Sequence, residues 1–434
     1  IVVIEPLEEQ NRISEMRKSG LNIMMSMKSD AKPVSFVEDC AVPLPHLADY
    51  TQGLTDIFKK YGTHGTWYAH ASVGCLHVRP VLNMKNGSDV TKMRAIALEA
   101  FELVKKFSGS HSGEHGDGIS RSEFNPVMFG EKLNTAFIKL KKILDPSDLF
   151  NPGKIVNAPK MDARDLFRYA PGYKASDFLT TLDWKGWPGA AGGLQGAVEM
   201  CNNNGACRKL VGGVMCPSFR ITRDEKDSTR GRANILRLAM SGQLGPDAMI
   251  SDKMKESLKL CVSCKACKRE CPTGVNVSSM KIEINALWAA KHSLSLHDRL
   301  IAYLPNYASV VAKVPWVMNL RDRIPGLPFI SEKITGFSSR RRLPIWRSDY
   351  FKSSEINSEP KGKLPVILFG DTFNRYFEPE NLRSAVNVLK AAGYTPFAPI
   401  PKSSKKSEIC CGKTHLSVGN VGSAIVNAKQ LVET

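Results

Sequence analysis

The stretch CVSCKACKRECP, Cys261 to Pro272, sets the organisation of this chain. Its spacing is Cys-x2-Cys-x2-Cys-x3-Cys-Pro. A cubane iron–sulfur cluster needs thiolates that converge on one small volume. In this arrangement the first three cysteines close on one cluster while the fourth reaches a neighbouring one. Zinc sites use paired Cys-x2-Cys knuckles, not a four-cysteine run ending in proline.

Working outward, a second group stands upstream: Cys201-x5-Cys207-x8-Cys216-Pro217. Laid on the first, Cys201 and Cys207 match its first and third positions, and Cys216-Pro217 matches Cys271-Pro272. Asn204 stands where a middle cysteine would. The crossing rule assigns Cys261, Cys264, Cys267 and Cys216 to one 4Fe-4S cluster. It leaves Cys201, Cys207 and Cys271 for a second, either a three-iron cluster or a four-iron cluster with a non-thiolate ligand. Lys265, Lys268, Arg269, Arg230 and Arg232 are expected to offset the clusters' negative charge. Nine of the eleven cysteines, all but Cys40 and Cys75, lie at such tight spacings, which points to a reducing compartment and not a disulfide scaffold.

The chain has 434 residues, 42% hydrophobic and 24% charged, with a net charge of +18. That length accommodates several domains. No run of about 20 apolar residues is uninterrupted, so a spanning helix is not expected. The basic residues are dispersed, apart from Arg340–Arg342, which argues against nucleic-acid binding and for an anionic substrate. Peripheral membrane contact is expected through the 300–350 region. The opening residues IVVIEPLEEQ carry neither an initiator Met nor a signal peptide.

Toward the N-terminus, ASVGCLHVRPVL (71–82) alternates like a strand, while TKMRAIALEAFELVKKF (91–107) and LNTAFIKLKKILD (133–145) carry helical periodicity. GWPGAAGG (186–193) reads as part of a linker or extended arm. Toward the C-terminus, LPVILFGD (364–371), ENLRSAVNVLKAAG (380–393) and YTPFAPI (394–400) form a β–α–β pattern. Cys410-Cys411-Gly412 follows it, a pair suited to contact with a cluster edge or to thiol chemistry. The expected fold is multidomain α+β: an α+β domain over 1–157, a linker over 158–200, an α-helical two-cluster domain over 201–290, a helical connector over 291–362 and a small α/β cysteine-rich domain over 363–434.

Five of the nine histidines fall between positions 64 and 115. His70 and His77 are seven apart, an odd interval that a regular strand places on opposite faces, so a bend near Gly74 is required for them to converge. SGEHGDG (112–118) sets Glu114 beside His115 on permissive backbone. Two imidazoles and a carboxylate can bind a divalent metal, and His115 is then free for proton transfer. The bland alternative is a set of structural or surface histidines.

These motifs carry a resemblance. His70-x6-His77, SGEHGDG and DPSDLFNPGKIV (145–156) resemble the C-terminal, substrate-cap half of FAD-linked oxidases of the D-lactate, D-2-hydroxyglutarate and glycolate dehydrogenase type. CNNNGACRK, MCPSF, STRGRA and CCG look like the iron–sulfur subunit fused to such enzymes. The resemblance implies a metal, Zn or Mn, on His70, His77 and Glu114, with His115 as base. It implies that Arg17 pairs with the substrate carboxylate and that Asn151 lies by the flavin. Arg79 stands where some members carry a substrate-contacting Asn, and the interior ASVGC departs from the usual Gly, Asp and Asn. The flavin-binding domain expected before residue 1, and a second cysteine-rich repeat expected after Thr434, make the sequence read as a fragment. The expected activity is FAD-dependent oxidation of a D-2-hydroxyacid, D-lactate before D-2-hydroxyglutarate, with electrons passed to a quinone or other carrier. The expected location is the cytoplasm, peripheral on the inner face of the cytoplasmic membrane. The alternative is a non-catalytic electron-transfer subunit of the heterodisulfide-reductase type.

Overall fold

The computed structural model describes residues 4–356, 358–360, 362, 364–398 and 409–434. They divide into two compact units, one of residues 1–245 with 265–276, the other of residues 246–264 with 277–434.

In the first unit a small antiparallel sheet is built around β4 (Cys75–Leu82). β3 (Gly65–His70) pairs along one edge, from Gly65 opposite Pro80 to His70 opposite Cys75. The short β1 (Lys32–Pro33) and β2 (Cys40–Ala41) share the other edge. The alternating segment 71–82 is thus a strand only from Cys75; Ala71–Val73 form a tight turn closed at Gly74, whose φ is 70°. A Cβ there would sit 1.9 Å from the Val42 carbonyl oxygen, so only glycine fits.

Two helices cover the sheet. Leu47–Lys60 buries Tyr50, Leu54 and Phe58, one face at four-residue steps. Gly87–Lys106 buries Val90, Met93, Ala97, Ala100 and Val104, as its periodicity predicted. They share one core with Phe36, Val37 and Val78. The third periodic segment forms the helix Glu131–Leu144.

The stretch 158–200 departs from its reading as a linker. Trp184, Ala191 and Gly193 are buried, and helix Leu194–Glu199 packs against helix Thr229–Met240. The buried Glu199 takes Lys85 Nζ at 2.6 Å and Tyr173 Oη at 2.7 Å, which ties this segment back to the end of the sheet.

The second unit contains the helices Leu296–Ala302 and Leu304–Val311, with Ala308, Ala312, Trp346 and Tyr376 in one small core. β5 (Pro365–Ile367) and β6 (Thr395–Phe397) pair in parallel through the helix Pro379–Ala391. This is the β–α–β unit expected from the sequence, with shorter strands; the end of YTPFAPI, at 399–400, lies outside the described residues. Among the described residues no helix is long and apolar enough to cross a membrane.

Candidate active site

The hairpin aligns the histidines. Tyr68 faces His77 across the β3–β4 ladder, and His70 lies two residues beyond Tyr68, on the same face. The odd interval between His70 and His77 is resolved by the turn at Gly74.

The SGEHGDG loop lies against this face, held by a residue that the sequence reading passed over. Asp39 is fully buried, with φ at 79°. Its carboxylate accepts Ser112 Oγ at 3.0 Å and the backbone N–H groups of Gly113, Glu114 and His115 at 3.0, 2.9 and 2.9 Å. Burial pushes this carboxyl up, but the N–H groups of His115 and Glu114, with the Ser112 hydroxyl, more than reverse that and hold it below its ordinary value.

So presented, Glu114 Oε1 lies 2.8 Å from His77 Nε2, 3.3 Å from His70 Nε2 and 3.4 Å from His115 Nε2. Two ligands each ~2.1 Å from one ion stand ~3.0–3.4 Å apart, so this donor set suits a divalent metal. Two tighter groupings exist, Asp39/Cys75/His77/Glu114 and Glu38/His77/His115. The first is the poorer site because the Asp39 oxygens are already engaged by the loop; in the second, Glu38 is engaged by Arg79. Burial, with His115 close by, lowers the His77 pKa and keeps that ring neutral. Burial, followed by the Asp39 and Glu114 charges, pushes the Cys75 thiol up to about 12.

His115 is half-exposed and stacks on His77 at 4.7 Å between centroids. Its Nδ1 lies 3.2 Å from Glu38 Oε1. Glu38 is itself bonded by Ser35 Oγ and Arg79 Nε. Burial raises the Glu38 carboxyl, yet those two donors and His115 hold it below the usual carboxylate range. Arg79 therefore pairs with Glu38, a carboxylate inside the protein. Arg17, on the helix Leu7–Met25, donates from Nε to Tyr68 Oη at 2.8 Å, and its Nη2 lies 3.2 Å from His70 Nδ1. Arg17, Glu38, His70, His77, Arg79, Glu114 and His115 all line one cavity of about 250 Å³. Asn151 is not among its lining residues: it stands exposed in a turn at φ 50°, with Lys154 Nζ 3.3 Å from its Oδ1.

In the first unit Cys201, Cys207, Cys216 and Cys267 are buried and Cys271 is half-buried. Cys201 is near enough to Cys207 and Cys271 for their charges to act on it. The N-terminus of helix Thr229–Met240 points at two of the sulfurs, with Thr229 N donating to Cys216 Sγ at 3.0 Å and Arg230 N to Cys207 Sγ at 3.4 Å. An N-terminal helix end favours negative charge, as thiolate-held clusters require. The side chains of Arg230 and Arg232 do not supply that charge freely, because Glu225 and Asp227 pair with them at 2.7 and 3.3 Å. Glu270 accepts the backbone N–H groups of Val214 and Met215 at 3.0 Å, pinning the loop before Cys216 to the turn before Cys271. Left-handed backbone at Asn203, Gly205 and Cys216 folds the loops tightly around the sulfurs.

The second unit carries Cys261, Cys264, Cys410 and Cys411. The Cys261 N–H donates to the Leu258 carbonyl at 3.0 Å, and Cys410 Sγ accepts the Gly412 N–H at 3.4 Å.

Comparison with known proteins agrees with this division of labour. Residues 1–155 match the family model for the C-terminal domain of FAD linked oxidases, and residues 197–275 that for the 4Fe-4S dicluster domain. D-2-hydroxyglutarate dehydrogenase of Pantoea ananatis (strain AJ13355) is 28% identical over 90% of this chain and 42% of its own length. That of Escherichia coli (strain K12) is 28% identical over 91% and 42%. D-lactate dehydrogenase of Archaeoglobus fulgidus is 29% identical over 29% of the chain and 27% of its own length. The chain thus spans about two fifths of the length of the D-2-hydroxyglutarate dehydrogenases it matches. Residues 1–155, which hold the histidine cavity, are thus similar to the C-terminal domain of FAD linked oxidases, and residues 197–275, which hold seven of the eleven cysteines, to the 4Fe-4S dicluster domain.

Proposed function

We propose that this chain is the substrate cap and electron relay of an FAD-dependent D-2-hydroxyacid dehydrogenase. The observation that carries the reading is the convergence of His70, His77 and His115 on Glu114 in a small cavity beside Arg17. A pure relay has no need of this constellation, which disfavours the heterodisulfide-reductase-type alternative. The relatives that align along nine tenths of the chain are named for D-2-hydroxyglutarate, and those named for D-lactate align over about a third of it or less. We therefore place D-2-hydroxyglutarate ahead of D-lactate, reversing the order expected from the sequence.

The residues divide the work. Arg17 meets the substrate carboxylate in a two-point contact that fixes which hydrogen faces the oxidant. Glu38, held by Arg79, accepts from His115 Nδ1 and leaves Nε2 as the free base for the hydroxyl proton. A divalent ion, Zn or Mn, on His70, His77 and Glu114 would polarise that hydroxyl, and FAD would take the hydride. With Nε2 given to such an ion, His70 would carry its proton on Nδ1, opposed to the Arg17 N–H, and Arg17 would turn to the substrate.

We assign Cys216, Cys261, Cys264 and Cys267 to a four-iron cluster. Cys201, Cys207 and Cys271 form a second, of three-iron type or with a non-thiolate ligand. Asn151 is proposed to lie by the flavin. The boundaries 1–157, 201–290, 291–362 and 363–434, and a place on the inner face of the cytoplasmic membrane, belong to the same proposal. The test is a panel of D- and L-2-hydroxyacids offered to the flavin-loaded holoenzyme with a reducible dye. D-isomers alone should be oxidised, and His115→Ala should lose at least about 100-fold in rate; undiminished activity in that variant overturns the assignment.

A further inference from the structure

The second unit contains a cavity of a different character. It measures about 490 Å³, about twice the histidine-lined one, and its walls are apolar: Leu300, Leu304, Met318, Phe337, Trp346 and Phe377. Four polar side chains interrupt them, His297, Tyr307, Ser338 and Arg341, of which Tyr307 already donates to the Leu300 carbonyl at 2.8 Å. His297 Nδ1 lies 3.3 Å from Asp298 Oδ1, and Asp298 Oδ2 lies 3.3 Å from Lys255 Nζ, so the ring stands at the end of a chain of titratable groups. A mostly apolar cavity of about 300–1,000 Å³ with few convergent polar groups is the general form of a small-molecule site.

The surroundings narrow the ligand. Trp316, Val317, Phe329, Ile330, Ile334 and Ile345 are all exposed. Between residues 303 and 345 stand seven basic residues against two acidic ones, and Lys313, Arg323, Lys333 and Arg340–Arg342 are exposed. Large apolar side chains among cationic ones fit the interface of an anionic lipid surface. One wall helix is also tied to the element that follows the cysteine pair. Its wall helix Leu296–Ala302 receives Thr414 Oγ1 on the Ala302 carbonyl at 3.0 Å, and Thr414 belongs to the helix Lys413–Ser417 that follows Cys410-Cys411-Gly412.

We infer that this cavity binds the head group of a membrane quinone, with its hydrocarbon tail leaving across the exposed apolar surface into the bilayer, and that the quinone is the relay's electron acceptor. The inference rests on the dehydrogenase reading, because that reaction supplies the electrons. Oxidation of the hydroxyacid to the 2-oxo acid releases two electrons and two protons. The quinone takes the electrons one at a time from the relay, and each of its two carbonyl oxygens takes one proton to give the quinol. His297 donates one of these and is reprotonated along Asp298; water at the mouth supplies the other.

The test is photolabelling of the holoenzyme with a short-chain azido-ubiquinone, in vesicles of phosphatidylcholine with and without phosphatidylglycerol. Labelled peptides are expected from residues 297–346, suppressed by excess decylubiquinone and enriched with the anionic lipid. Leu300→Trp, which fills the cavity, should cut labelling at least ten-fold and raise the KM for decylubiquinone by a similar factor. Met318→Trp, at a half-exposed wall position, gives the same reading where the first variant disturbs folding. Labelling confined to the His77 cavity, or unchanged in both variants, overturns the site. A holoenzyme that reduces dye with a D-2-hydroxyacid but never labels here sinks the quinone site alone. One that labels here but oxidises no hydroxyacid sinks the dehydrogenase reading alone.

Discussion

Asp39→Asn isolates the electrostatic part of the loop's support. Asparagine tolerates the left-handed backbone at φ 79° and keeps the shape of the side chain. Its single oxygen can replace the one that serves Ser112, Gly113 and His115; its amide then meets the Glu114 N–H donor head-on. Three bonds fall from the charged to the neutral class, about 1 kcal/mol each, and the fourth, worth about 1.5–3 kcal/mol, is lost. With relaxation of the loop toward solvent, a net cost of about 3–5 kcal/mol remains, the range for breaking a buried charged contact. Hydrogen exchange at the amides of 113–115 should accelerate by about two to four orders of magnitude, as that energy dictates at about 1.4 kcal/mol per tenfold. Zinc affinity should fall with it, since Glu114 rides on the loop. Exchange and zinc binding indistinguishable from the parent protein would refute the role given to Asp39.

Four further outcomes are expected. Glu114→Ala should weaken zinc binding at least about 100-fold by equilibrium dialysis, since the three imidazoles converge on its carboxylate. Cys216→Ser should lower iron and acid-labile sulfide per chain by one cluster's worth, measured anaerobically, because a serine oxygen is a poor substitute for thiolate. Asp145, held down to about 2 by Lys141 and then by the Phe150 N–H, should titrate near that value by NMR. A depressed carboxyl stabilises the fold fully above its unfolded pKa, so the 145–150 turn should loosen only as pH falls from about 4 toward 2. Glu38→Gln should lower kcat by about 10- to 100-fold in steady-state assays, since His115 loses the partner that fixes its tautomer.

Legibility followed the range of the interactions. The helices at 87–106 and 131–144 were readable because one apolar face repeats within the helix itself. The cysteine groups were readable because ligand spacing is local. β3 was missed although GTWYAH is rich in strand-forming residues: the alternation seemed to begin at Ala71, where the chain turns. Glu38 and Asp39 were missed because their partners, Arg79 and residues 112–115, lie about 40 and 75 positions away. A pair of acids inside the apolar run PVSFVEDCAV was the available signal, since buried carboxylates demand partners. The pairing of Arg230 and Arg232 was local, with Glu225 and Asp227 five positions upstream, and nothing but attention to the clusters concealed it.

The most direct test of the whole account is anaerobic addition of D-2-hydroxyglutarate to the flavin-loaded holoenzyme, followed by EPR. Reduced-cluster signals should grow in at the expense of oxidised flavin and be absent in His115→Ala. Clusters that respond to dithionite but to no D-2-hydroxyacid would contradict it.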